Sequence, residues 1–400
     1  MIYLDNNATT AIDPQVADAI RRVWDLGPLN PSSQHRFGRR SRNLLDEAIS
    51  RLGQVLGADV DSPGGDSLVL TSGGTESNQL ALQGLGDPDG PLVISQIEHP
   101  SVLEPARAAA SAGRTVRVIP VDTDGRIDLI AARRSIVEAS PRAALVSVMS
   151  ANNETGVIQP IEELAAICRE ADVPLHVDAT QTVGKLPFDF GRSGATAITA
   201  AAHKFHGPAG IGLLLVRSGV ELRPMFRGGE QQLALRAGTE PVALAVGMAE
   251  AIDLAAAHFD TTSRLGALRE RLETGLLASF PDLVIHGQKA PRLSGTSCLS
   301  FPGADRQAML MALDMAGVAC SSGSACASGS SRPSHVLAAM GVPDGQIDTA
   351  LRFGFSRFSS LEDCERAIER ISRQYQRLRD RPAVPVENLS ISLDRDPPQT

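Results

Sequence analysis

A lysine in a short polar loop is the first residue whose surroundings suggest chemistry. Lys204 lies in residues 202–208, AHKFHGP, which follow a short strand-like run and end in Gly and Pro. Removing a lysine from water is costly, but an aldehyde cofactor can use its amine to form a Schiff base. The alternative is an ordinary surface lysine, and the segment by itself favours that alternative.

A carboxylate stands at the end of another apolar run. Asp178 belongs to residues 177–181, VDATQ. An Asp buried opposite the nitrogen of a pyridine ring would keep that nitrogen protonated, so that the ring draws electrons from a substrate. The alternative is that Asp178 caps the N-terminus of a following helix. The spacing alone leaves both interpretations open.

A glycine-rich turn joins a strand-like run to an apolar helical segment at residues 71–78, TSGGTESN. The two glycines let the backbone approach a ligand, and amides at a helix start favour an anion. The turn therefore predicts a phosphate site. An ordinary capped turn is the alternative, because a glycine-rich turn is a weak signal by itself.

Alternating helices and strands are predicted to position these motifs. Helical periodicity covers residues 14–25 and 39–56, and strand-like runs cover 67–70, 92–95, 116–119, 144–148, 175–177, 197–199 and 211–215. This order predicts an α/β layer with a mostly parallel sheet, whose ligands gather at the carboxyl ends of its strands. Helices 242–258 and 263–279 and strands 283–286 and 297–301 follow, which predicts a domain boundary near Ala257. Residues 381–400 are rich in Pro, Asp and Ser, and we expect a flexible tail there.

The composition narrows the functional classes. A chain of 400 residues usually exceeds a single core, so we expect a large domain, a smaller one and a cleft. A net charge of -8 without a block of Lys or Arg argues against a nucleic-acid ligand. The N-terminal residues show no export signal, and the apolar runs are shorter than the roughly 20 residues of a membrane span. Five cysteines without CxxC spacing predict no metal site and a reducing, cytoplasmic location.

Together with two further motifs, these features resemble the cysteine desulfurases of the class V aminotransferase group, in the branch of the nitrogenase and housekeeping iron–sulfur cluster enzymes. The resemblance runs from residues 3–10, YLDNNATT, to residues 351–354, LRFG. It implies a fold-type I transferase that uses pyridoxal 5'-phosphate (PLP), with a mostly parallel seven-stranded sheet and a smaller α+β domain. The implied large domain is 15–257, and the small domain, 1–14 with 258–380, carries the catalytic cysteine loop.

The resemblance also implies roles around the cofactor ring. Lys204 would hold PLP covalently, Asp178 would pair with the pyridine nitrogen and Gln181 would bond the ring oxygen. His99, in residues 98–100, EHP, would stack on the ring and take part in catalysis.

Phosphate contacts are implied for Gly74, Thr75 and His203. Thr239, in residues 236–239, RAGT, would reach the phosphate of a neighbouring subunit, which implies a homodimer. Where many relatives have a serine, this chain has Ala201, and we expect weaker cofactor binding. The loop 228–235 also has fewer basic residues than the family pattern.

The substrate implied is L-cysteine. Asn153, in residues 152–156, NNETG, would contact cofactor and substrate, and Arg352 would grip the substrate carboxylate through a bidentate fork. A lysine could not replace that geometry.

A stretch of small residues that contains two cysteines indicates sulfur chemistry. Residues 320–329, CSSGSACASG, suit a mobile loop, and Cys326 matches the family's nucleophile. Its thiolate would attack the substrate sulfur, leaving alanine and a persulfide. A lone cysteine is usually an apolar filler, so this role depends on the surrounding motif. We interpret the other four as core or strand residues, namely Cys168, Cys298, Cys320 and Cys364.

Other functions stay open at this point. An aminotransferase, a selenocysteine lyase or a cysteine sulfinate enzyme would share the Lys204 site, and Cys326 is the residue that distinguishes desulfuration from them. A scaffold without catalysis is disfavoured by Lys204, Asp178, His99 and Cys326, since function belongs to the site and not to the fold. The sulfur acceptor is undetermined among an iron–sulfur scaffold, a tRNA thiolation factor and DNA sulfur modification.

Overall fold

The computed structural model describes residues 1–323 and 333–380. Cys326 and the predicted tail at 381–400 lie outside these residues. In chain order the described strands are β1 (Ile2–Tyr3), β2 (Ser67–Thr71), β3 (Leu92–Ser95), β4 (Val116–Ile119), β5 (Leu145–Met149), β6 (Leu175–Asp178), β7 (Ala197–Ala201), β8 (Gly212–Val216), β9 (Val284–Ile285), β10 (Thr296–Ser300), β11 (Val318–Ala319) and β12 (Ala350–Gly354).

The helices connect and cover these strands. They are α1 (Pro14–Trp24), α2 (Arg36–Leu56), α3 (Gly74–Gly84), α4 (Pro100–Ser111), α5 (Leu129–Arg133), α6 (Ile161–Glu170), α7 (Phe190–Ser193), α8 (Val242–Ala256), α9 (Thr262–Ser279), α10 (Arg306–Met315), α11 (His335–Ala339), α12 (Asp344–Ile347) and α13 (Leu361–Arg379). A π-helical segment, Arg134–Glu138, and three 3-10 turns, Ala202–Lys204, Gln231–Ala234 and Phe259–Thr261, complete the helical structure of the described chain.

The central sheet has seven strands in the order β2-β8-β7-β6-β5-β3-β4. Its neighbours are parallel except around β8, which runs antiparallel to both β7 and β2. The predicted mostly parallel seven-stranded sheet is therefore confirmed. The strands are apolar runs because helices cover both faces: Leu213 and Leu215 belong to one core cluster, and Leu214 and Val216 to another.

A separate hydrophobic core forms in the later part of the chain. It packs α9, α10 and α13 against the antiparallel sheet β12-β10-β9. Strand β1 joins this part by pairing in parallel with β11. The two cores support the predicted division near Ala257, which remains our proposal.

The carboxyl ends of the parallel strands meet along one edge of the central sheet, and the predicted site residues follow them. Gly74 comes after β2, His99 after β3, Asn153 after β5, Gln181 after β6 and Lys204 after β7. This is the edge at which open α/β sheets bind ligands. None of the described helices is alone long and apolar enough to span a bilayer, although Val242–Ala256 and Phe259–Ser279, which meet at a bend of 54°, pass that test as a pair.

Candidate active site

A cavity of about 250 Å³ opens at this edge of the sheet. Eight of the residues predicted from the sequence line it: Gly74, Thr75, His99, Asn153, Asp178, Gln181, His203 and Lys204. Thr239 and Arg352 are not in its wall, and Cys326 is outside the described residues.

Lys204 closes the 3-10 turn that follows β7. It is half-buried, and its Nζ donates to the carbonyl oxygens of Asn7 and Ala8, each at 2.8 Å. The residue is therefore held inside the molecule, in contrast to the surface lysine that its local sequence favours.

Asp178 is the last residue of β6 and is 6% exposed. One carboxylate oxygen accepts from the backbone N–H of Thr180 at 3.0 Å, and the other accepts from Asn78 Nδ2 at 2.7 Å. The described residues that follow Asp178 form a turn and not a helix. The helix-capping interpretation is therefore wrong.

His99 is the N-cap residue of α4, where its Nδ1 accepts from the backbone N–H of Ser101 at 3.1 Å. A backbone N–H can only donate, so Nδ1 carries no proton and the neutral ring holds its proton on Nε2. Burial lowers the pKa of His99, which favours this neutral form. In this form the single ring N–H of His99 is at Nε2.

Two residues that the sequence left without a role connect His99 to Asp178. Ser101 Oγ lies 2.8 Å from His99 Nδ1 and accepts from Asn78 Nδ2, also at 2.8 Å. The same Asn78 amide donates to Asp178. Asn78 ends the TSGGTESN motif and is buried on α3, which is the signal that could have identified it.

The glycine turn starts α3. Gly73 adopts φ 156° and ψ −179°, a region that is essentially restricted to glycine. A Cβ on Gly74 would lie 3.2 Å from Thr180 Oγ1, and that buried hydroxyl has no hydrogen-bond partner among the described residues. The amides of Ser72 and Gly73 donate to Glu76 Oε2 and Thr71 Oγ1, which leaves the amides at the start of α3, beside the unsatisfied hydroxyl, to bind an anion. Ala201 contributes only a methyl group, 3.5 Å from the same Cβ position.

Two further polar side chains complete the wall. Gln181 Nε2 donates to the Asn7 carbonyl oxygen at 3.0 Å, while its Oε1 accepts from Lys185 Nζ at 2.5 Å. His203 Nδ1 lies 3.1 Å from Thr9 Oγ1. Burial, with help from Lys204 and Lys185, lowers the pKa of His203 to about 4, so this imidazole is neutral.

Arg352 lies beside the cavity and is 2% exposed. Its Nη2 pairs with Asp5 Oδ1 at 2.8 Å and donates to Ser321 Oγ at 2.7 Å, and its Nη1 donates to the Asn153 carbonyl oxygen at 2.9 Å. Only Nε is buried without a partner among the described residues. The fork predicted to bind a substrate carboxylate is thus occupied by the protein's own oxygens.

The remaining predicted residues lie away from the cavity. Thr239 is exposed on the loop before α8. Cys168, Cys298 and Cys364 are buried in hydrophobic clusters, as predicted. Cys320 packs against the second core, and burial raises its pKa to about 12, which keeps the thiol protonated.

Comparisons with known proteins identify the family of this chain. The Aminotransferase class-V family matches residues 2–367. The chain belongs to this family. It is 42% identical to a cysteine desulfurase of Gluconacetobacter diazotrophicus over 373 residues, 92% of each chain.

Solved structures of relatives share the fold. A NifS-like protein from Rickettsia africae superposes with a TM-score of 0.85 at 32% identity, covering 94% of this chain and 99% of that one. SspA, solved in complex with cysteine, gives a TM-score of 0.78 at 28% identity, covering 90% and 100%. The fold-type I assignment is therefore confirmed.

PLP is the cofactor of the class V family, and the cavity residues fit it. Lys204 offers an amine for the aldehyde, Asp178 a buried carboxylate for a protonated ring nitrogen, and the Gly74 turn free amides for a phosphate. The unsatisfied Thr180 hydroxyl adds a donor at the phosphate end.

Proposed function

We propose that this protein is a cysteine desulfurase, which uses PLP to remove the sulfur of L-cysteine, leaves L-alanine and passes the sulfur to Cys326. The observation that carries this proposal is the single cavity in which the Lys204 amine, the Asp178 carboxylate and the neutral His99 ring meet. The identity to a curated cysteine desulfurase over 92% of the chain supports the choice of substrate.

The cavity residues have separate tasks in this proposal. PLP, when bound, supplies an electron sink for the substrate α-carbon. Asp178, fixed by Asn78 and Thr180, would hold the proton on the ring nitrogen without rearranging. His99 would lie against the ring and donate its Nε2 proton to a developing negative charge.

The proposed reaction balances without an external oxidant. The C–S bond of L-cysteine breaks, its electron pair stays with carbon, and protonation of that carbon completes L-alanine. The Cys326 thiolate takes the sulfur as a persulfide, and two equivalents of a thiol reductant then release sulfide and regenerate the thiol.

We further propose that Arg352 binds the substrate carboxylate. Its buried Nε has no partner among the described residues and is a donor available to an anion. A carboxylate that also replaced Asp5 at Nη2 would receive a bidentate contact. Asn153 lines the cavity nearby and would contact both cofactor and substrate.

Assembly and partners belong to the same proposal. Thr239 is exposed and does not line the cavity of its own chain, which supports a role at the phosphate of a second subunit. Leu233, 81% exposed in the preceding loop, would be covered there. Light scattering should then give twice the 42.2 kDa of one chain. The four cysteines that the structure describes are free thiols, which supports a reducing, cytoplasmic location. The persulfide proposed on Cys326 also needs an acceptor, for which we propose a sulfur-acceptor protein.

The deciding experiment incubates the purified, PLP-loaded protein with L-cysteine and a thiol reductant and quantifies alanine and sulfide together. Equal yields are expected. Cys326→Ser should keep the yellow cofactor and form no persulfide. Lys204→Ala should lack the absorbance band of PLP bound covalently to the lysine. Keto acid without alanine would indicate transamination, and unchanged sulfide release by Cys326→Ser would exclude the proposed sulfur transfer.

A further inference from the structure

A second lysine lies close to the cavity without a carboxylate partner. Lys185 ends the turn after β6, and its Nζ donates to Gln181 Oε1 at 2.5 Å. It takes part in none of the ion pairs among the described residues, and the charged groups that act on it most are the cations Lys204 and Arg352. Desolvation disfavours the charge of a half-buried ammonium, and a neutral amide compensates for it less than a carboxylate would.

The Gln181 amide carries the contact onward to Lys204. Gln181 Nε2 donates to the Asn7 carbonyl oxygen at 3.0 Å, and Lys204 Nζ donates to the same oxygen at 2.8 Å. One amide and one carbonyl therefore connect the two amines. The Lys185 ammonium can only donate, so it requires Oε1 to face it and Nε2 to face Asn7.

The two amines also line a second cavity, whose wall does not include Gly74. It measures about 60 Å³, enough for a few water molecules, and its wall includes Lys185, Lys204 and Asn7. Other titratable groups in this wall are His206, His258 and Arg357. Arg357 is neutralised by Asp13 at 2.6 Å, and His258 is exposed.

The charge of Lys185 is sensitive to its surroundings. Burial, and then the positive charges of Lys204 and Arg352, lower the pKa of Lys185 to about 7. The charge of Lys185 also acts on His203 and His206. Burial lowers the pKa of each of these histidines to about 4, so both are neutral above that pH. Of these three groups, Lys185 is the one whose pKa lies near neutral pH.

We propose that Lys185 is a positioning residue of the active site: it fixes the orientation of the Gln181 amide and, through the Asn7 carbonyl, the place and proton affinity of the Lys204 amine. This inference rests on the proposed function, because it takes Lys204 as the residue that binds PLP. A charged Lys185 favours loss of a proton from Lys204, which the amine needs before it can react with an aldehyde.

The test measures PLP itself, in the full-length protein without L-cysteine. Apo-protein is titrated with PLP to obtain its Kd, and the absorbance of the bound cofactor is then followed from pH 5 to pH 10. Lys185→Met removes both donor and charge, Lys185→Gln keeps a donor without the charge, and Lys185→Arg keeps both. Lys289→Met is the matched control, because Lys289 is exposed.

Lys185→Met should weaken PLP binding about tenfold at pH 6, where Lys185 is charged, because donor and charge are both lost. The midpoint of the absorbance transition should rise by about one pH unit where it lies below pH 7, and by less where it lies above, since Lys185 is then neutral. Lys185→Gln should shift the midpoint with a smaller loss of PLP affinity. Lys185→Arg should keep the wild-type affinity and the wild-type midpoint. Wild-type behaviour of both Lys185→Met and Lys185→Gln would overturn the inference. A wild-type protein that binds PLP but yields no alanine would instead refute the proposed function alone.

Discussion

The surroundings of Glu98 oppose the ionisation of its carboxyl group. Replacing it with glutamine should therefore change how the free energy of unfolding depends on pH. The residue is fully buried and precedes His99 of the cavity wall. Its Oε1 accepts from Ser95 Oγ and from the Met149 backbone N–H at 2.9 Å, whereas Oε2 has no partner among the described residues. A carboxylate needs more donors than these when it is cut off from water.

Burial raises the pKa of Glu98 from its ordinary value of 4.5 to about 8. Between these two values the folded protein holds a proton that the unfolded chain releases. The free energy of unfolding therefore falls as pH rises through this window, by about 1.4 kcal/mol per pH unit, and stops falling above the folded-state pKa. From pH 5 to pH 7 this single group should cost roughly 2–3 kcal/mol.

Glu98→Gln removes the titration and keeps a similar shape. Urea unfolding of wild type and variant at pH 5 and pH 7 should show the variant gaining about 2–3 kcal/mol relative to wild type at the higher pH. Glu221→Gln, at an exposed position, serves as the control and should follow wild type. Parallel pH dependence of Glu98→Gln and wild type would refute the reasoning.

Three further substitutions test the site. Asn78→Ala removes the amide that donates to Asp178, and alanine formation should fall about tenfold or more, since a hydrogen bond to a charged group contributes about 1.5–3 kcal/mol. Gly323→Ala would place a Cβ 2.0 Å from Glu154 Oε2, so persulfide formation should fall strongly while PLP absorbance persists. Ala201→Ser adds a hydroxyl beside the glycine turn, and the Kd for PLP should fall about threefold to tenfold, as expected for one added hydrogen bond.

Each of these has a contrary outcome. Gly345→Ala is the matched control for the loop glycine, because an added Cβ there meets nothing within 4 Å, and equal losses in both variants would remove the steric argument. Unchanged turnover of Asn78→Ala would show that Asp178 does not need the amide. A weaker affinity in Ala201→Ser would show that the hydroxyl is buried without a phosphate to receive it.

The strands could be read from the sequence because helices cover both faces of the sheet, which makes each strand a short uninterrupted apolar run. The boundaries of β3 and β4 match the predicted ones. The position of the site followed as well, since residues after parallel strands meet at one edge. This is why Asp178 and Lys204, 26 positions apart in the sequence, line one cavity.

The partners of the site residues could not be predicted in the same way. The Arg352 fork was expected to be free, but its nearest carboxylate belongs to Asp5, 347 positions earlier in the chain. The contact of Lys185 with Gln181 spans only four residues in a turn, where no helical or strand periodicity indicates which side chains meet. A residue type predicts what a group can do, whereas its partner depends on tertiary packing.

The contacts of residues 5–8 have a consequence for synthesis on the ribosome. The Asn7 and Ala8 carbonyls accept hydrogen bonds from Lys204, which is synthesised almost 200 residues later. Strand β1 can pair only after Val318–Ala319 has been synthesised. Such distant pairings form slowly and late. A nascent chain halted before β11 therefore has most of the cavity wall but not the strand pairing that anchors this segment, so cofactor capture should accompany the completion of the chain.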